Sequence, residues 1–142
     1  MILYCDTSAL VKLYIVEPQS DAVKALVAEV QAVAVCRIAW AEFHAAVARR
    51  AREVPADADA IDQAKRSMAE QWAHFVVLEA NQAVMEKAGE YADAFALRGY
   101  DAVHLAAAHE AMSQAELPVT FACFDIRLNR AAKLLGMTVA FP

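Results

Sequence analysis

Four acidic residues, Asp6, Glu42, Asp101 and Asp125, stand where the pattern of the chain changes. Asp6 directly follows the apolar run Ile2–Cys5, and Asp125 directly follows the run from Val119 to Phe124. Glu42 lies about one turn into a helical stretch beginning at Ala39, and Asp101 opens another. Glu42 sits in Ile38-Ala-Trp-Ala-Glu-Phe-His-Ala-Ala-Val and Asp101 in Tyr100-Asp-Ala-Val-His-Leu-Ala-Ala-Ala, segments too apolar for ordinary solvated faces. A lone charge in such surroundings is costly, so these acids need partners or a cation. Two carboxylates ~4 Å apart repel by about 4 kcal/mol at an effective dielectric of about 20. No neighbouring run of Lys or Arg offsets four of them, whereas a hard divalent cation would. All four offer oxygen, with no His or Cys at ligand spacing, which favours Mg²⁺ or Mn²⁺ over Zn²⁺. The same residues admit a plainer reading. An Asp at a strand–helix junction is often a helix N-cap worth ~1 kcal/mol, and Glu42 alone reads as a solvated helix residue.

The elements that must position these acids alternate between short apolar runs and helical stretches. The spacing predicts strands at Ile2–Cys5, 33–38, 75–78, 119–124 and 138–141. Helices are predicted over 8–15, from Pro18 to about Val30, over 39–54, 57–74, 81–97 and 101–116, and from Asp125 to Leu135. Ser20 or Asp21 is the expected cap of the second helix, Gly99 that of the helix ending at Leu97, and Gly136 that of the last helix. Strand and helix in alternation give an α/β fold, a three-layer α/β/α sandwich on a central, mostly parallel sheet. Parallel strands are buried on both faces, which suits the nearly continuous apolar runs. In such sheets ligands bind outside the carboxyl ends of the strands. Two of the acids are pinned to strand ends and two to helix starts that can face the same edge.

The bulk composition agrees. A chain of 142 residues, 60% apolar and 22% charged with three Gly and four Pro, suits a single domain over 1–142 with little disorder. Alanine, the strongest helix former, is its commonest residue. MILYCD carries no basic region of a signal peptide, and no apolar run approaches the ~18 residues of a membrane span, so a cytoplasmic protein with no membrane partner is expected. Cys5, Cys36 and Cys123 lie in apolar stretches without zinc-site spacing and read as reduced, buried thiols. The net charge of −5 is unlike that of a basic nucleic-acid binder. If four of the 18 acids hold metal, the rest nearly balance the 13 Lys and Arg, so charge neither supports nor excludes a nuclease.

The motifs together resemble those of PIN-domain proteins, especially the VapC-type toxins of bacterial toxin–antitoxin pairs. Asp6-Thr-Ser-Ala-Leu-Val-Lys-Leu-Tyr resembles the family's opening motif, and the glutamate of Ala39-Trp-Ala-Glu its second. Arg98-Gly-Tyr-Asp-Ala-Val-His-Leu-Ala-Ala-Ala is similar to the third, and Cys123-Phe-Asp-Ile-Arg-Leu-Asn-Arg-Ala-Ala-Lys-Leu-Leu-Gly to the last. The likeness covers essentially the whole chain in order and spacing. It implies a PIN-like parallel-sheet fold, a homodimer, bound Mg²⁺ or Mn²⁺, endoribonuclease activity on RNA and a cognate antitoxin protein. Asp6, Glu42, Asp101 and Asp125 become the catalytic and metal-binding quartet, with supporting hydrogen bonds from Thr7 or Ser8 near Asp6 and help from Asn129 at the last motif. One departure is Cys123, where many relatives carry Thr or Ser; a thiol is a poor hydrogen-bond donor.

The implied chemistry is metal-assisted phosphodiester hydrolysis, with Asp101 or Glu42 orienting or deprotonating the attacking water. RNA would be held by scattered cations: Arg49, Arg50 and Arg52, Arg127 and Arg130, and Lys12. Against that, arginines at a helix C-terminus are favoured by the macrodipole alone. Of His44, His74, His104 and His109, His104 stands three residues from Asp101, and its apolar surroundings read as packing of a neutral imidazole. Trp40, Phe43 and Trp72 read as core or dimer interface. The rival readings are a non-catalytic PIN-fold binding module, which would usually lose an acid, and a housekeeping RNA-processing nuclease without an antitoxin. A haloacid-dehalogenase-like phosphatase would need a second Asp two residues after Asp6, where Ser8 stands.

Overall fold

The computed structural model describes residues 1–142. Its strands are β1 (Ile2–Cys5), β2 (Ala32–Cys36), β3 (Val76–Leu78), β4 (Val119–Ala122) and β5 (Thr138–Val139). Its helices are α1 (Thr7–Tyr14), α2 (Ser20–Glu29), α3 (Ala39–Glu53), α4 (Ala58–Trp72), α5 (Gln82–Phe95), α6 (Gly99–Ala115) and α7 (Ile126–Leu134). All strand pairs are parallel, in the order β3-β2-β1-β4-β5. No helix is long and apolar enough to cross a membrane.

Period-two alternation divides the apolar side chains between two cores. Ile2 and Tyr4 of β1 face α5, α6 and α7 together with Val119, Phe121 and Cys123. Leu3 and Cys5 face α1, α3 and α4 together with Val33 and Val35. The helices cover both sheet faces because every strand carries apolar residues on both sides. On α3, the four-residue spacing of Phe43 and Val47 keeps both on the buried stripe, where each side chain contributes ~1.5–3 kcal/mol. On α6, eight buried residues run from Ala102 to Ala111 around the helix, and five of them are Ala. Small side chains let this helix lie close to the sheet and to α5 at once.

The first two connections run outward from β1 through β2 to β3, and the chain then returns to place β4 on the other side of β1. The strand order therefore reverses between β1 and β4. That is the crevice where open parallel sheets take their ligands.

Several local expectations change. Ser20 and Asp21 do not cap α2; Gln19 does so in a left-handed conformation, φ 74°, while the buried Ser20 hydroxyl donates to the Ile15 carbonyl at 3.0 Å. Gly99 does not close α5, which ends at Ala96 with φ 54°; Gly99 begins α6 instead. Phe75 precedes β3, and residues 55–57 form a short 3-10 turn. Gly136, φ 91°, closes α7 as expected.

Candidate active site

Each of the four acids lies at the start of a helix on the carboxyl edge of the sheet. Asp6 caps α1: its Oδ1 accepts from the Ala9 N–H at 3.0 Å and from the Ser8 hydroxyl at 2.6 Å. Asp125 caps α7, with Oδ1 accepting from the Leu128 N–H at 2.9 Å. Glu42 and Asp101 lie in the first turns of α3 and α6. Capping is thus real at both strand ends, but it engages one oxygen of each aspartate and leaves Oδ2 for other work.

The β1–β4 register sets the spacing. Cys5 pairs with Ala122, and the Asp6 N–H donates to the Ala122 carbonyl at 3.1 Å. Asp101 and Asp125 line one cavity of about 620 Å³ together with Arg98, Arg127 and Arg130. Asp6 is 7% exposed. Burial pushes its carboxyl above the ordinary value, opposed by its Ser8 and Ala9 hydrogen bonds and reinforced by the negative charge of Asp101. The Cys123 thiol is driven upward by burial first and then by the charges of Asp6, Asp125 and Asp101. The three aspartates therefore share one electrostatic neighbourhood around the end of β4.

Glu42 has a different setting. Its Oε1 accepts from the Thr7 hydroxyl at 2.7 Å and lies 2.7 Å from Nε2 of His104. Burial raises its pKa, but the hydrogen bonds from His104 and the Thr7 hydroxyl outweigh that and hold the carboxyl below its ordinary value.

The donor chemistry of the four fits a hard divalent cation, since every side chain offers carboxylate oxygen and the negative charge of Asp101 works against ionisation of Asp6. No three His, Cys, Asp or Glu side chains stand close enough in this arrangement to hold one ion between them. Asp101 is drawn instead to Arg98, whose Nε lies 3.2 Å from Oδ2. The Arg98 side chain is 82% exposed, so little holds it against release of Asp101.

The neighbours of the acids meet some expectations and depart from others. Ser8 supports Asp6, but Thr7 supports Glu42. The Asn129 side chain makes no hydrogen bond to a carboxylate: its amide donates to the carbonyls of Cys123 at 3.2 Å and Phe141 at 2.9 Å, and its Oδ1 accepts from the Cys123 thiol at 3.1 Å. His104 is buried as expected, yet both ring nitrogens are engaged, Nδ1 by the Tyr4 hydroxyl at 2.8 Å and Nε2 by Glu42. Its proximity to Asp101 in sequence was the one available signal. Arg49 and Arg50 are tied at the far end of α3, to Glu53 and to Asp57 and Glu17. Lys12 is paired with Glu17 at 3.1 Å and lies over the Phe124 ring. The cations left beside the acids are Arg98, Arg127 and Arg130. Phe43 is core, while Trp40 packs edge-on against Trp72 near the surface.

Residues 3–134 match the PIN domain family model. The chain belongs to the PIN domain family. Among its PIN-domain relatives, Ribonuclease VapC45 of Mycobacterium tuberculosis is 35% identical over 139 residues, 98% of this chain and 94% of that protein. PAE2754 from Pyrobaculum aerophilum superposes with a TM-score of 0.68 at 18% identity, covering 99% of this chain and 90% of that one. The Rickettsia felis VapBC2 structure, bound to a DNA fragment from their promoter, gives a TM-score of 0.64 at 14% identity over 98% of this chain and 97% of that one. These solved structures share the PIN fold with this chain.

Proposed function

We propose that residues 1–142 form one nuclease domain, a Mg²⁺- or Mn²⁺-dependent endoribonuclease acting in the cytoplasm as the toxin of a VapBC-type pair. A cognate antitoxin protein restrains it, and the working form is a homodimer. The observation that carries this reading is the retention of all four acids at helix starts on one sheet edge, in a chain that matches a VapC ribonuclease over nearly its full length. The Rickettsia felis complex supports the antitoxin as partner.

Asp6, Asp101 and Asp125 would hold the cation, with Asp6 and Asp125 offering the oxygens not used in capping. A bound divalent ion supplies Lewis acidity to the phosphodiester and a more acidic water. Asp101, released from Arg98, would complete the set, and Arg98, Arg127 and Arg130 would be the phosphate ligands for the RNA backbone. Glu42, ionised at neutral pH, presents Oε2 to orient the attacking water or take its proton.

The test is cleavage of an RNA oligonucleotide by wild type and Asp6→Asn, with Mn²⁺, with Mg²⁺ and with chelator. Wild type cleaves with either cation and stops with chelator; Asp6→Asn is inactive while keeping its circular dichroism spectrum. Removal of several kcal/mol of metal assistance, at 1.36 kcal/mol per tenfold, predicts a loss of about 10³-fold or more. Full activity in Asp6→Asn, or in chelator, overturns the proposal.

A further inference from the structure

Beneath the acids lies a buried chain of hydrogen bonds that the catalytic reading does not use. Tyr4 on β1 has no exposed surface and His104 on α6 is 2% exposed. The Tyr4 hydroxyl is 2.8 Å from Nδ1 of His104, and Nε2 of the same ring is 2.7 Å from Oε1 of Glu42 on α3. The Thr7 hydroxyl, 2.7 Å from the same Oε1, closes the group from α1. The Tyr4 ring is clamped by stacking on Phe121, centroids 5.6 Å apart and nearly coplanar, and meets His104 edge-on at 5.9 Å.

The proton count of this chain has one economical solution. Tyr4 has one O–H proton, and its hydrogen-bond partner is Nδ1. If Nδ1 accepts it, the ring proton of a neutral imidazole resides on Nε2 and points at Glu42. If the ring carried a proton on both nitrogens, the buried Tyr4 O–H would lose its acceptor, which costs ~1–3 kcal/mol. No buried side-chain polar atom lacks a hydrogen-bond partner in this geometry.

We propose that His104 is a positioning residue for Glu42: Tyr4 fixes its neutral Nε2–H tautomer, and His104 and Thr7 together hold Glu42 Oε1 so that Oε2 faces the reaction. Helix α6 thereby supplies one acid directly, Asp101, and orients a second through a side chain one turn further on. Carboxylates and histidines around metal centres depend on such outer partners, whose loss costs roughly 10–100-fold in metal affinity or activity. The inference rests on the catalytic reading of Glu42, but the tautomer it requires is measurable without metal or RNA.

The experiment compares wild type, His104→Leu, His104→Gln, Tyr4→Phe and Asp6→Asn by three measurements. These are long-range ¹H–¹⁵N spectra of the imidazole at neutral pH, the Mn²⁺ dissociation constant by calorimetry, and kcat and KM on an RNA oligonucleotide. Wild type shows the Nε2–H tautomer, and Tyr4→Phe loses the preference. His104→Leu loses about 10–100-fold in kcat or Mn²⁺ affinity with KM for RNA unchanged, and His104→Gln, whose amide N–H can reach Glu42, recovers most of it. An Nδ1–H tautomer or an imidazolium in wild type overturns the proposal, as does equal behaviour of the Leu and Gln variants. Tyr4→Phe keeps the test decisive if His104→Leu fails to fold. An active Asp6→Asn sinks the nuclease reading and leaves the tautomer result standing. A silent His104→Leu beside an inactive Asp6→Asn sinks only the positioning role.

Discussion

The backbone N–H of Asp6 donates to the carbonyl of Ala122 across 3.1 Å, fastening the end of β1 to the end of β4 three residues before Asp125. This single bond lies at the reversal of strand order and brings together the two capping carboxylates. Both spend Oδ1 on their helix and keep Oδ2. A cap holds the side chain in one rotamer, so capping here prepares the site rather than competing with it.

Substituting Asp6 and Glu42 has opposite effects on stability. Because burial raises the Asp6 pKa in the fold, its stabilising contribution is full below the unfolded value, near about 4, and is lost as pH rises through the raised folded value. At neutral pH the charge is a burden, and Asp6→Asn, which keeps the cap acceptor, raises the melting temperature by a few degrees in chelator, the gap closing in acid. Burial also presses Glu42 upward, but its His104 and Thr7 bonds leave the pKa lowered, so its contribution is present above the unfolded value and is lost as pH falls through the folded one. Glu42→Gln therefore melts lower at neutral pH, by about 1 kcal/mol. Melting scans across pH check both signs.

Divalent cation stabilises the wild type and not Asp6→Asn. At one hundred times its dissociation constant, a ligand binding only the folded state adds about 2.7 kcal/mol. Scanning calorimetry with Mg²⁺, Mn²⁺ and chelator measures this; equal shifts in both proteins would count against Asp6 as a ligand.

Arg98, Arg127 and Arg130 separate from Arg49 and Arg52 in RNA binding. Replacing any of the first three by Ala raises KM several-fold and makes the salt slope shallower by about 0.7. Replacing Arg49 or Arg52 leaves both unchanged, since these residues lie in the last turns of α3, away from its Glu42 end. Binding measured over a range of salt concentrations decides it.

All three cysteines resist thiol reagents in the native protein. Cys5, Cys36 and Cys123 have no exposed surface, and burial raises the pKa of each thiol. Colorimetric thiol titration gives no rapid reaction in buffer and three equivalents in denaturant.

Ala96→Gly stabilises the protein. Ala96 ends α5 with φ 54°, a conformation that costs a residue with a Cβ ~1–2 kcal/mol and glycine almost nothing. Allowing for the extra freedom of glycine in the unfolded chain, about 0.5 kcal/mol remains, readable by urea denaturation.

The strand ends and their acids were legible because Asp6 and Asp125 terminate apolar runs, a signal contained in a few adjacent residues. The alternation of elements fixed the sheet as parallel by the same kind of local pattern. Helix ends were less legible: Gln19 and Ala96 take left-handed conformations that their residue types do not advertise, and Ser20 was drawn into a buried bond instead of a cap. The support of Glu42 was not legible at all. Tyr4 and His104 are 100 positions apart, and an apolar setting hides a hydrogen-bonded imidazole as well as a packed one. Only the register of β1 with β4 and the close seat of α6 bring them together.

Helices α1, α3, α6 and α7 all begin at the edge that carries the acids. Each such start adds roughly half a positive charge from its unpaired amides. These dipoles offset part of the negative charge of the four carboxylates gathered at that edge. Unlike a surface lysine, these dipoles cannot be titrated away or acetylated, so that compensation persists at any pH the fold survives.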